Sequence, residues 1–156
     1  MYQKIYLLSG LPGSGKSFWT TNYIKNHPKT LVISRDDIRL ALHNGKYIFE
    51  ESLEPLIQEI TQTTIIGLVE SKRDFIIDET NGSKLHRHCL ISDIRNNISF
   101  LTTKRKVKII AVVFEEGNNL ENRMKNDRGM TKDQWKNVID KMKKYWEPVT
   151  GDEGFD

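Results

Sequence analysis

The chain has 156 residues, 37% hydrophobic and 29% charged, which is one domain's worth of ordinary globular sequence with enough apolar content for a core. A net charge of +3 is too small to require a nucleic-acid partner, and a single cysteine, Cys89, excludes an internal disulfide and suits a reducing cytosol. No apolar run reaches signal-peptide or membrane-spanning length, so a cytoplasmic location with no membrane partner is expected.

Lys4–Ser9 is a short apolar run ending at a glycine, the pattern of a strand buried on both faces. A helix is predicted from about Lys16 to the Asn26-His27-Pro28 break, because proline cannot continue it. Between the two, Gly10-Leu11-Pro12-Gly13-Ser14-Gly15-Lys16-Ser17 fits the Walker A pattern at every fixed position. Glycines let such a loop wrap phosphate, and the helix N-terminus adds its positive dipole end. Lys16 is expected at the β- and γ-phosphates of ATP, and the Ser17 hydroxyl on Mg²⁺. Phe18 and Trp19 are expected in the core rather than stacked on a base.

Thr30–Ser34 is a second β-branched strand, followed at once by Arg35-Asp36-Asp37-Ile38-Arg39. In this layout reactive groups collect at the carboxyl ends of the strands, where a kinase needs a carboxylate to deprotonate the acceptor hydroxyl. On a helix Asp36 and Arg39 share a face whereas Asp37 and Arg39 diverge. Asp36 is therefore the candidate base and Arg39 the grip for an anionic acceptor; alternatively Asp36 or Asp37 caps the helix. Leu53, Leu56, Ile57, Ile60, Thr64 and Leu68 recur at helical spacing. The third strand, Phe75–Ile77, runs into Asp78-Glu79-Thr80-Asn81, an apolar strand closing on acids as in a Walker B segment. Orientation of Mg²⁺, directly or through water, and a substrate-site role are both open for Asp78 and Glu79. Asn81-Gly82 is also an ordinary turn signal.

A helix over Ser83 to about Asn96 turns Leu90, Ile91 and Ile94 inward, with Cys89 read as a small core residue and His86 and His88 as surface groups. Val107–Phe114 reads as a fourth buried strand, Asn118–Lys125 as a helix and Asp127–Thr131 as a loop. Trp135, Val138, Ile139, Met142 and Trp146 mark the stripe of a final helix. Arg123 and Arg128 flank the loop and would close over ATP from a lid spanning about 118–132, unless they are simply solvated charges. Twelve of the 24 basic residues fall between Lys104 and Lys144 against six acids, which suits an anionic ligand or a solvated lysine face. Strands alternating with helices predict an α/β fold in one domain, 1–156, with a parallel sheet of four to five strands covered on both faces. The Asn-Lys-x-Asp string of GTPases is absent and AAA or ABC motors need more chain, which leaves small-molecule and nucleic-acid kinases.

Together these segments resemble the kinase domain of bacteriophage polynucleotide 5′-kinases. The resemblance rests on Gly10 to Trp19, on Ser34-Arg35-Asp36-Asp37-Ile38-Arg39, on Asp78-Glu79-Thr80-Asn81 and on Arg128-Gly129, and runs from about Lys4 to Trp146. It implies the P-loop kinase fold, ATP and Mg²⁺ as cofactors, and transfer of the γ-phosphate to a 5′-hydroxyl end of DNA or RNA in end repair. Asp36 would be the base, Arg39 would hold the phosphate 3′ to the terminal nucleoside, and Arg128 would bridge the donor phosphates. Glu79, Thr80 and Asn81 would lie at the substrate, and Arg123 with Gly10 through Ser17 at the nucleotide. A phage-encoded copy would act in the host cytoplasm, and relatives can self-associate. Phe18 replaces the family's usual threonine, Glu79 its second aspartate, and the Arg123-to-Arg128 spacing is one residue longer. The tail Asp152–Asp156 resembles a lead into a last strand.

Two rivals remain. A small-molecule kinase would share the cradle and the base, but Arg39 would be idle against a neutral sugar. A regulatory nucleotide-binding module would tolerate Asp36→Asn.

Overall fold

The computed structural model describes residues 2–100, 106–125 and 129–156. Four strands, β1 (Gln3–Ser9), β2 (Leu31–Ile33), β3 (Phe75–Ile77) and β4 (Val107–Val113), form one parallel sheet in the order β2-β3-β1-β4. In register, Ile5 lies between Phe75 and Ile109, and Leu7 between Ile77 and Ala111. The helices are α1 (Lys16–Asn26), α2 (Arg35–Leu42), α3 (Glu54–Glu70), α4 (Lys84–Phe100), α5 (Asn119–Met124) and α6 (Lys132–Lys143), with a 3-10 turn at Glu51–Leu53.

Because strand side chains alternate, β1 divides the core in two. Ile5 and Leu7 pack with Phe75, Ile77 and Ile109 against Ile65 and Val69 of α3 and Ile91 and Ile94 of α4. Tyr6 and Leu8 face the other way with Ile76, against Trp19, Tyr23 and Ile24 of α1. Helices thus cover both faces, as the strand-helix alternation predicted. With all strands parallel, the carboxyl ends of β1, β2 and β3 meet at one edge, which sets the Walker A loop beside the segments opened by Arg35 and Asp78.

Some expectations are corrected. The stripe of α3 is Ile57, Thr61, Ile65 and Val69, while Leu56 is exposed. Thr61 is tolerated inside because its hydroxyl donates to Ile57 O at 2.7 Å. β4 is an edge strand with only Ile109 fully covered and Val113 exposed. Phe18 and Cys89 are exposed, not core. The last helix stops at Lys143, and Trp146 packs beyond it so close to Gly82 that a Cβ there would stand 3.1 Å from the indole. The tail forms no strand among the described residues. It docks on β4 instead, with Asp156 N donating to Ile109 O at 2.9 Å and Ile109 N donating to Asp156 Oδ2 at 2.8 Å.

Candidate active site

The Walker A loop is a built cradle. Gly13 and Gly15 hold φ values of 78° and 98°, a left-handed backbone that glycine adopts without strain. Gly15 caps α1 with no side chain in the way, leaving the helix amides open toward the loop. Lys16 Nζ spans the loop, donating to Gly10 O at 2.7 Å and Leu11 O at 3.0 Å. Burial pushes the Lys16 ammonium down to about 8, only partly opposed by the carboxylates of Asp78 and Asp36. Ser14 Oγ is buried without a hydrogen-bond partner, an orphan that a phosphate oxygen would satisfy. Helix α5 rests directly on this loop: Asn122 Nδ2 donates to Gly13 O at 3.1 Å, and a Cβ on Gly13 would stand 2.0 Å from Asn119 O.

Asp36 lies in the first turn of α2. The N-cap is Ser34, whose hydroxyl accepts from Asp37 N at 3.4 Å, so neither aspartate caps the helix. As predicted from spacing, Arg39 reaches Asp36, donating from Nη1 to Oδ1 at 2.9 Å. Tyr47 Oη donates to the same oxygen at 3.2 Å, and Arg123 Nη2 lies 3.7 Å from Oδ2. Arg123 is aimed there by Trp135, its guanidinium standing 4.4 Å from the ring centroid. Arg128 lies outside the described residues.

Arg39 is more committed than the sequence suggested. Its side chain is nearly buried, Nε and Nη2 donate to the Glu54 carboxylate at 2.7–3.0 Å, and the guanidinium lies 5.5 Å from the Phe49 centroid. Glu54, Tyr47 and Phe49 carry no local motif. They come from the connection after α2 and the first turn of α3, and only the fold brings them here.

The segment after β3 divides between chemistry and scaffold. Burial pushes the Asp78 carboxyl up, opposed by Lys16 and by the hydroxyls of Thr20 and Ser17. Burial likewise raises Glu79, against the pull of Arg35, whose Nε lies 3.3 Å from Glu79 Oε1. Thr80 O accepts from Gly10 N at 3.1 Å, tying the segment to the loop. Asn81, expected at the substrate, is buried scaffold: φ is 44°, and Nδ2 donates to Leu8 O at 2.7 Å.

Ser17 and Asp78 offer the oxygen donors Mg²⁺ prefers, and among the described residues no group of three metal-ligating side chains exists. An ion there would draw its remaining ligands from nucleotide phosphates and water. Among the described residues no helix is long and apolar enough to cross a membrane.

The AAA domain family (AAA_33) matches residues 5–149. The chain belongs to that family. It is a P-loop domain, and its fold is shared by solved kinases. A chain in a structure of a Pnkp1/Rnl/Hen1 complex is 26% identical, with a TM-score of 0.55 over 80% of this chain and 39% of that one. A fungal RNA kinase superposes over 100% of this chain and 74% of its own with a TM-score of 0.73 at 12% identity, a likeness of fold. Among curated proteins, heterogeneous nuclear ribonucleoprotein U-like protein 2 of Mus musculus is 29% identical over 119 residues, 69% of this chain but 15% of that protein. The chain therefore spans well under half of these relatives apart from the RNA kinase.

Proposed function

We propose that this domain transfers the γ-phosphate of ATP to the 5′-hydroxyl end of a polynucleotide, with Asp36 as the general base. The observation that carries this is the Asp36 carboxylate, gripped by Arg39, Tyr47 and Arg123 at the same sheet edge as the Lys16 loop. The likeness to a chain of the Pnkp1/Rnl/Hen1 assembly, described elsewhere as an RNA repair complex, supports a nucleic-acid acceptor.

In the proposed step the acceptor oxygen attacks the γ-phosphorus while Asp36 takes its proton; the bond to the β,γ-bridging oxygen breaks and ADP leaves. Lys16 and the amides of Gly13 through Ser17 would hold the phosphates, and Arg123 would offset charge growing between base and donor. Ser17 and Asp78 would hold Mg²⁺, which would polarise the phosphoryl group. Arg39 would act through Asp36, fixing its orientation. Arg128 would add a lid charge, and the basic residues after Lys104 would track the strand and make binding salt-dependent.

One observation favours a second reading. Because Glu54 already occupies Arg39, a neutral small-molecule acceptor would need nothing more from it. Transfer of label from γ-labelled ATP to a 5′-hydroxyl oligonucleotide separates the two, with a 5′-phosphorylated strand as control. Label on the hydroxyl strand alone, lost by about 10²- to 10⁴-fold in Asp36→Asn with ATP affinity kept, supports the polynucleotide reading. ATP binding without label on any end rejects it.

A further inference from the structure

Behind the candidate base, an open-mouthed pocket of about 80 Å³ lies between α3 and α4. Its inner wall is Arg35 and Glu79, the immediate chain neighbours of Asp36 and Asp78, over a floor of Ile65 and Ile77. Gln58 and Gln62 from α3 face His86 and Asp93 from α4 across it. At the wall, Arg35 Nε and Glu79 Oε1 are buried and meet at 3.3 Å without the alignment of a hydrogen bond, so polar capacity is left unspent there.

We propose that this pocket seats the nucleobase of the acceptor's 5′-terminal nucleoside, so that the attached 5′-hydroxyl is delivered to Asp36. An apolar floor with polar groups on the rim is what a flat heterocycle with hydrogen-bonding edges requires. Each glutamine amide presents both a donor and an acceptor, so it can meet any base by turning over. Burial, with Arg35 and Arg87 nearby, holds the His86 imidazole neutral, which leaves it one donor and one acceptor. The pocket thus distinguishes a base from no base, rather than one base from another.

This placement rests on the polynucleotide reading, and two readouts keep the two apart. The first compares phosphorylation of a 5′-hydroxyl strand whose terminal residue carries a base with one whose terminal residue is abasic. The abasic end is expected to lose about tenfold or more in kcat/KM, a deficit of one or two hydrogen bonds. The second uses Cys89, the chain's one cysteine, which is exposed and lines the pocket. A nucleoside 3′-phosphate, but not deoxyribose 3′-phosphate, is expected to slow its alkylation several-fold. Protection without transfer to any end supports the pocket and rejects the polynucleotide reading. Equal turnover of the two ends overturns the pocket, and so does alkylation unaffected by nucleoside 3′-phosphate, the latter whether or not transfer occurs.

Discussion

Arg87 and Glu153 form a fully buried ion pair, Nε to Oε2 at 2.6 Å and Nη2 to Oε1 at 2.8 Å. Arg87 also donates to the carbonyls of Asn81, Gly82, Glu147 and Pro148. One guanidinium thus fastens the C-terminal segment to the loop that follows Asp78 and Glu79. The pair is costly to bury, but once its donors are all satisfied, removing one partner leaves an uncompensated charge.

Glu153→Ala should therefore lower stability by about 3–5 kcal/mol in urea unfolding. The hydrogen bonds from Arg87 hold the Glu153 carboxyl below its ordinary value of 4.5. A depressed carboxylate stabilises the fold at pH above that value and loses its contribution as pH falls through the folded-state pKa. The gap in stability between wild type and Glu153→Gln should be full at pH 6 and shrink steadily below about pH 4.5. A gap that stays constant down to pH 3 would place the charge of Glu153 outside the stability of the fold.

Glu54 is the outer half of the Asp36 clamp, since it holds the Arg39 edge that Asp36 does not. Glu54→Gln keeps the volume but weakens the grip, letting Arg39 and Asp36 drift. We expect kcat to fall about tenfold or more, with KM for ATP unchanged, because misplacing a base affects the transfer step. Loss of ATP affinity instead would mean that Glu54 supports the nucleotide site.

The parts legible in the sequence are those whose chemistry sits within one turn or one loop. Gly10 through Ser17 and the Asp36–Arg39 pair are local spacings, and both stand where the spacing put them. The Arg87–Glu153 pair joins residues 66 apart and the Arg39–Glu54 pair residues 15 apart, and no periodicity announces either. The α3 stripe misled for a different reason. Its polar member, Thr61, is buried by bonding its own helix, while apolar Leu56 faces solvent, so hydrophobicity alone rotated the helix.

Lys16 gives the nucleotide site a pH signature. Burial lowers its free-state pKa to about 8, and phosphate oxygens at the ammonium would raise it again. Between the two values ATP binding must take up a proton, so affinity should weaken as pH rises through 8. Calorimetry at pH 8.5 in buffers of different ionisation enthalpy should show about three-quarters of a proton absorbed per ATP. Lys16→Arg, which stays charged throughout, should abolish the uptake. Equal apparent enthalpies in every buffer would show that Lys16 keeps its proton in the free protein.

Gly13→Ala tests the seat of α5 on the loop. The new Cβ would need a left-handed φ of 78° and would stand 2.0 Å from Asn119 O, a backbone atom that cannot swing aside. Either the loop flattens or α5 moves away, and α5 carries Arg123 toward Asp36. Stability should fall by more than about 1 kcal/mol. If α5 moves, transfer should fall more than ATP affinity, because Arg123 leaves Asp36 while Lys16 and the loop amides stay. If the loop flattens, ATP affinity should collapse first. Titration of ATP binding alongside single-turnover transfer distinguishes these, and unchanged values in both would refute the direct contact between α5 and the phosphate loop.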